Sequence, residues 1–230
     1  VNRPVVFVLL NFSVQGAFAM LKVISYRDIS QNADLFFSQF QLRKREFIDR
    51  QHYKVKTIDG LEFDQYDTLA TLYLVFTEDG RTVLGCSRLT PISYGCMLAD
   101  HFPNLVNDAS LFDRLDVWEG TRFCVDSRLP PDVRLTISRT LSAAYITFGL
   151  NRGASKIIGM MQTLILRSVF ERAGIELERL GTVQKVGDQS KVQAAAINIH
   201  PDQLARVAER TGIRIEPHLG RETRTTGYAA

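Results

Sequence analysis

Pro130-Pro131 separates two stretches of unlike periodicity, and this junction constrains the fold more than any other feature of the chain. Before it, Trp118 to Val125 reads as a central strand. After it, Leu135, Ile137, Leu141, Ala144, Tyr145 and Phe148 recur at helical intervals between about Asp132 and Asn151. Proline lacks the N–H that a ladder needs, yet it fits the first turn of a helix. The strand must therefore end here and a helix begin. A helix of that length is about 30 Å long, enough to cross a sheet.

The flanking segments fill in such a sheet. Leu21 to Ser25 reads as a first strand, and Ser30 to Asp49 as a helix that Asp28 or Ser30 could cap. Thr71 to Thr77 turns at Glu78-Asp79-Gly80 and returns as Thr82 to Leu89, a hairpin. Met97 to Phe102 suits a short helix. Beyond the long helix come strands at Lys156 to Met161, Leu177 to Val183 and Val192 to Ile199. Helices are expected at Leu164 to Ala173, closed by Gly174, and at Pro201 to Arg210. The pattern gives one α/β sandwich with a mixed sheet. No Rossmann glycine loop, P-loop or paired-Cys zinc pattern appears.

The 230 residues carry a net charge of +3, spread too evenly to argue for nucleic acid. Basic residues do gather between Arg152 and Arg172, as a solvated helix face or a surface for an acidic partner. Cys86, Cys96 and Cys124 form no ligand pair, so no metal is expected, and their sparse, odd count fits a reducing, cytoplasmic setting. Residues 1–19 end in Ala17-Phe18-Ala19 before Met20, as an overextended start or a short signal-like leader. They are too short and too interrupted for a membrane span. The expected division is a leader at 1–19, a domain at 20–216 and a polar tail at 217–230.

Glu62, Asp64 and Asp67 place three carboxylates within one short polar connection. Like charges so close repel unless cations meet them, although a solvated loop is the other explanation. Arg43 and Phe47, one helical turn apart, lie upstream with Tyr53. Aromatic faces and carboxylates both attract a desolvated cation such as a sulfonium or ammonium.

In order along the chain, these residues resemble the acyl-homoserine lactone synthases, the autoinducer synthases of quorum sensing. The resemblance rests on Arg43, Phe47, Tyr53, Glu62, Asp64, Asp67, Gly85, Arg88-Leu89-Thr90-Pro91, Met97-Leu98, Phe102-Pro103 and Glu119-Gly120-Thr121-Arg122-Phe123. It runs from about Met20 to Ile215. Tyr53 stands where the family usually has Trp, and Thr121 where it has Ser. The resemblance implies a fold similar to the GNAT acyltransferases, a three-layer α/β/α sandwich whose central sheet is split in a V.

It also implies the chemistry. S-adenosylmethionine, as a substrate and with no cofactor, would be acylated by a thioester carried on acyl-carrier protein or coenzyme A. Lactone closure would then release methylthioadenosine. On this resemblance Glu119 is the candidate base through water, restrained by Arg122 or Arg88, or else half of a structural pair with Arg122. Arg43, Phe47, Tyr53, Asp64, Asp67 and Phe123 would form the S-adenosylmethionine pocket. Glu62 would organise the loop, through Arg88 among possible partners, and Thr121 would support the site. An acyl pocket is expected between the long helix and the Lys156 strand, walled by Phe102, Tyr145, Phe148, Met160, Met161 and Leu164. Met160, Met161 and Gln162 disfavour a 3-oxo chain, with Thr163 adjoining. The alternative is a GNAT-type N-acyltransferase using acyl-CoA. Its pyrophosphate motif matches only at Arg224 to Ala229, in the tail.

Overall fold

The computed structural model describes residues 8–14, 17–186, 190–215 and 217–219, with backbone only before Met20. Residues 1–7 of the leader and the Arg224 to Ala229 match lie outside the described residues.

Eleven strands and five α-helices follow in chain order among the described residues. They are β1 (Val8–Val14), β2 (Ala17–Ser25), α1 (Ala33–Arg43), β3 (Thr57–Ile58), β4 (Leu61–Glu62), β5 (Leu72–Thr77), β6 (Val83–Pro91) and α2 (Met97–His101). Then come β7 (Val117–Val125), α3 (Pro131–Arg152), β8 (Lys156–Gln162), α4 (Thr163–Ile165), β9 (Leu177–Arg179), β10 (Gln184–Val186), β11 (Ser190–Asn198) and α5 (Pro201–Thr211). The main sheet runs β1-β2-β5-β6-β7-β8-β11-β10, with β9 also on β11. Every pairing is antiparallel except that of β7 with β8.

That parallel pair governs the fold. Its register covers only Val117↔Lys156, Trp118↔Ile157 and Glu119↔Ile158, after which the two strands run on without pairing. The sheet thus splits into a V whose vertex lies at Glu119. Glycine is needed on both arms just past it. A Cβ on Gly159 would stand 2.6 Å from the Gly120 carbonyl oxygen. A Cβ on Gly120 would stand 2.8 Å from the Tyr145 ring.

Alternation along β5 and β6 divides the core between two faces. Leu74, Phe76 and Leu89 meet Ile137, Leu141, Ala144 and Phe148 of α3. Tyr73, Val75 and Cys86 meet Leu35, Phe36, Phe40 and Leu42 of α1. On this second face, the chain from Ile92 to Leu111 covers Ile158, Ala194 and Ala196 beyond the vertex. The result is a GNAT-like α/β/α sandwich.

Several boundaries move for physical reasons. β2 begins before Leu21 because β1 pairs with it at Leu9↔Met20. The helix expected over Ser30 to Asp49 is α1 followed by a wider π-helical stretch, Lys44–Arg50, and its N-cap is Asn32, whose side chain donates back to the Asp28 carbonyl and makes no capping bond. Leu135, expected on the buried side of α3, is 38% exposed. The expected helix Leu164 to Ala173 is α4, then a π turn and a 3₁₀ turn, stopped by Gly174 at φ +97°. Leu177 to Val183 is cut to β9, since Gly181 packs against the Leu105 carbonyl too closely for any side chain.

Candidate active site

The three carboxylates find their cations within the protein. Arg43, at the end of α1, donates Nε to Glu62 Oε2 at 2.5 Å and a two-pronged fork to Asp67 at 2.8 and 2.9 Å. Arg88 on β6 donates Nη1 to Asp64 Oδ1 at 2.5 Å and lies 3.2 Å from Asp67 Oδ2. Arg122 on β7 reaches Glu62 Oε1 at 3.1 Å and Asp64 Oδ2 at 2.6 Å. Three guanidinium groups thus meet three carboxylates and the cluster is neutral, which answers the repulsion implied by the sequence.

Burial divides the cluster into a floor and a rim. The side chains of Arg43, Glu62 and Asp67 are 0% exposed, those of Arg122 and Asp64 13% and 15%. Arg43 and Asp67, expected as ligand contacts, are therefore enclosed and support the wall from behind. Burial alone would raise the Asp67 carboxyl, but the Arg43 fork and Arg88 overcome it and hold the group well below the ordinary range. Tyr73 Oη and the Asp64 amide also donate to Asp67. Glu62, expected to organise the loop through Arg88 among possible partners, pairs instead with Arg43 and Arg122. Arg88 Nε instead donates to Thr121 Oγ1 at 2.8 Å. Arg88 Nη2, buried, has no hydrogen-bond partner among the described residues.

A break in the alternation of β7 explains why Thr121 and Arg122 both serve this face. The β6–β7 register passes from Cys86↔Cys124 to Arg88↔Thr121, so β7 carries one extra residue in a bulge. Arg122 lies in it at φ +54°, a left-handed conformation that costs a non-glycine residue on the order of 1 kcal/mol. Thr121 meets Arg88, Arg122 meets Glu62 and Asp64, and Phe123 then turns back toward Tyr145 and Phe170 on the α3 face. The Arg122 guanidinium carbon lies 5.8 Å from the Phe47 ring centre, and Phe47 stacks on Tyr53, 43% exposed, at 5.9 Å.

Glu119, at the vertex, makes a different pairing from either one expected. Its oxygens accept the amides of Met97 and Leu98, both at 2.8 Å, so it anchors the first turn of α2. Burial raises its pKa, and these two bonds counter the shift without cancelling it. Tyr66, Met97 and Leu98 thus belong to the site although the sequence drew no role for them. Tyr66 donates to Asp100 at 2.7 Å and lies 5.6 Å under the Arg88 guanidinium carbon, tying the acidic loop to α2.

The proposed acyl walls stand on both sides of the split sheet. Tyr145, Phe148 and Met161 pack on the α3 face, Phe102 and Met160 on the other. Only a passage through the split can touch both groups. Leu164 is 69% exposed and does not form part of an enclosed wall here.

With this geometry in place, likeness to known proteins decides the family. The autoinducer synthase family matches residues 27–207. The chain belongs to that family. An acyl-homoserine-lactone synthase of Rhizobium radiobacter is 32% identical over 167 residues, 70% of this chain and 78% of that protein. The isovaleryl-homoserine lactone synthase of Bradyrhizobium diazoefficiens is 30% identical over 197 residues, 84% and 86% of the two chains. The solved structure of the CoA-dependent synthase BjaI, with SAM and isopentyl-CoA, superposes with a TM-score of 0.74 at 29% identity, covering 85% of this chain and 90% of that one. The autoinducer synthase described here is accordingly an acyltransferase that makes acyl-homoserine lactones. No helix among the described residues is long and apolar enough to cross a membrane.

Proposed function

We propose that this synthase joins S-adenosylmethionine to an acyl thioester at the mouth of the split, beside the Asp64–Arg122 rim. The observation that carries the reading is the contrast between a closed, neutral floor and a rim left partly open next to stacked aromatics. Phe47 and Tyr53 offer π faces to the sulfonium, and Asp64 offers charge to the α-ammonium. Arg122, on the rim, is the donor suited to the methionyl carboxylate. The occupants of BjaI support this choice of substrates.

In the first step the α-amine, stripped of a proton, attacks the thioester carbonyl. The N–C bond forms, the C–S bond breaks and the carrier thiol leaves. In the second, the carboxylate displaces the sulfonium at the γ-carbon, closing the lactone and releasing methylthioadenosine. The sulfonium is already a good leaving group, so positioning suffices there. The first step needs a base, and we assign Glu119 acting through water: burial raises its pKa toward proton acceptance, while both Asp64 oxygens are already taken by the guanidiniums of Arg88 and Arg122. The three buried, free cysteines fit a cytoplasmic setting. We place the catalytic domain at 20–216, with β1 and the first residues of β2 added at the edge of its sheet.

Incubating the purified chain with S-adenosylmethionine and a panel of acyl-carrier-protein and acyl-CoA thioesters should yield acyl-homoserine lactone and methylthioadenosine by mass spectrometry. Folded protein giving neither product across the panel would reject the reading. An N-acylated amine without methylthioadenosine would favour a plain N-acyltransferase.

A further inference from the structure

The split has a stopper on its α3 side. Past the last β7–β8 pair, the ring of Tyr145 packs so closely on Gly120 that a Cβ there would lie 2.8 Å from its Cε2 and its hydroxyl. Tyr145 is 3% exposed. Its hydroxyl bonds Ser87 Oγ, which donates onward to the Thr121 carbonyl at 3.0 Å. Phe123 and Phe170 close around it, with ring centres 6.2 and 6.3 Å from that of Tyr145 and 5.6 Å from each other. Three rings therefore fill the space that a chain threading the split from the Arg122 side would enter.

We propose that Tyr145, tethered by Ser87, sets the depth of the acyl channel and restricts this synthase to short acyl donors. The inference rests on the function proposed above and deepens it. Tyr145 cannot simply swing aside. Its hydroxyl would leave Ser87 and become a buried polar group without a partner. The ring would also need room in an interior already occupied by Phe123, Phe170 and the α3 core. Gly120 is what permits the arrangement, since any side chain there would displace the ring. Ser87 never meets the donor on this view and acts through Tyr145, as a positioning residue.

The test measures kcat/KM for butanoyl, hexanoyl, decanoyl and tetradecanoyl thioesters on both carriers. Wild-type protein should favour the two short donors. Tyr145→Ala should raise the decanoyl-to-butanoyl ratio by about tenfold or more, in line with what a hydrophobic pocket gains per accommodated methylene. Ser87→Ala should move the ratio in the same direction by less, with the KM for S-adenosylmethionine unchanged. A purely structural role would lower the rate for every donor alike. Should Tyr145→Ala fail to fold, Tyr145→Leu keeps apolar volume while shortening the side chain, and must shift the ratio too. A wild-type preference for tetradecanoyl, or an unchanged ratio in folded variants, overturns the inference alone. No lactone from any donor overturns it together with the function on which it rests.

Discussion

At the scale of single residues, the two arginines Arg43 and Arg122 have different duties despite sharing Glu62. Removing Arg43 leaves Glu62 and Asp67 buried with their main counter-charge gone, a loss of about 3–5 kcal/mol. Arg43→Ala should thus show a large drop in the urea midpoint, and its effect on turnover should follow loss of fold. Arg122 is partly exposed and sits on the rim. Arg122→Ala should keep most of the stability and lose S-adenosylmethionine affinity by calorimetry. The opposite ranking would place Arg43 on the ligand. The sequence could align these residues but not sort them. Spacing along the chain says that three carboxylates are near one another, whereas which is enclosed depends on Arg43, Arg88 and Arg122 arriving from three separate elements.

At the scale of elements, Glu119 couples β7 to α2. Hydrogen bonds to a charged acceptor contribute about 1.5–3 kcal/mol each, and α2 takes two from this carboxylate. Glu119→Ala should therefore speed amide hydrogen exchange across residues 97–101 as well as slow amide formation. Unchanged exchange would confine Glu119 to chemistry. Glu119→Gln is a less clean variant, because its amide nitrogen would face one of the two backbone N–H groups. Much at this scale was legible. The hairpin of β5 and β6, β7, and the Pro-led α3 all follow from local periodicity and turn chemistry, and each lies within about two residues of its expected bounds. The bulge at Arg122 was not legible, since nothing in Gly-Thr-Arg-Phe marks an extra residue. It is imposed by the partner strand. Likewise α2 is anchored by a carboxylate distant in sequence, which no cap signal could announce.

For the whole molecule, the buried charges give stability an uneven pH dependence. The Asp67 pKa is depressed, so its contribution is present above the unfolded aspartate value of about 3.9 and is lost as pH falls through the folded value. The Glu119 pKa is raised, so its burial is a cost above that raised value and the cost shrinks as pH falls toward the unfolded glutamate value of about 4.3. Thermal midpoints should therefore hold or rise slightly on mild acidification, then collapse below the ordinary carboxylate range. A steady decline starting from neutrality would contradict this assignment. The family and its layered architecture were readable from the order of motifs over most of the chain. The position of the split was not, because it depends on where the β7–β8 pairing stops.

That stopping point has a mechanical consequence. Three residue pairs form the seam between two plates, one of β1, β2, β5, β6 and β7, the other of β8, β11, β10 and β9. If the plates hinge about this seam, displacement grows with distance from the vertex, as in any wedge. Glu119 is at the fulcrum and moves least. Arg122 and Phe123 on one arm, with Met161 and Gln162 on the other, travel further. Such a lever could widen for an entering chain while its pivot keeps the same alignment.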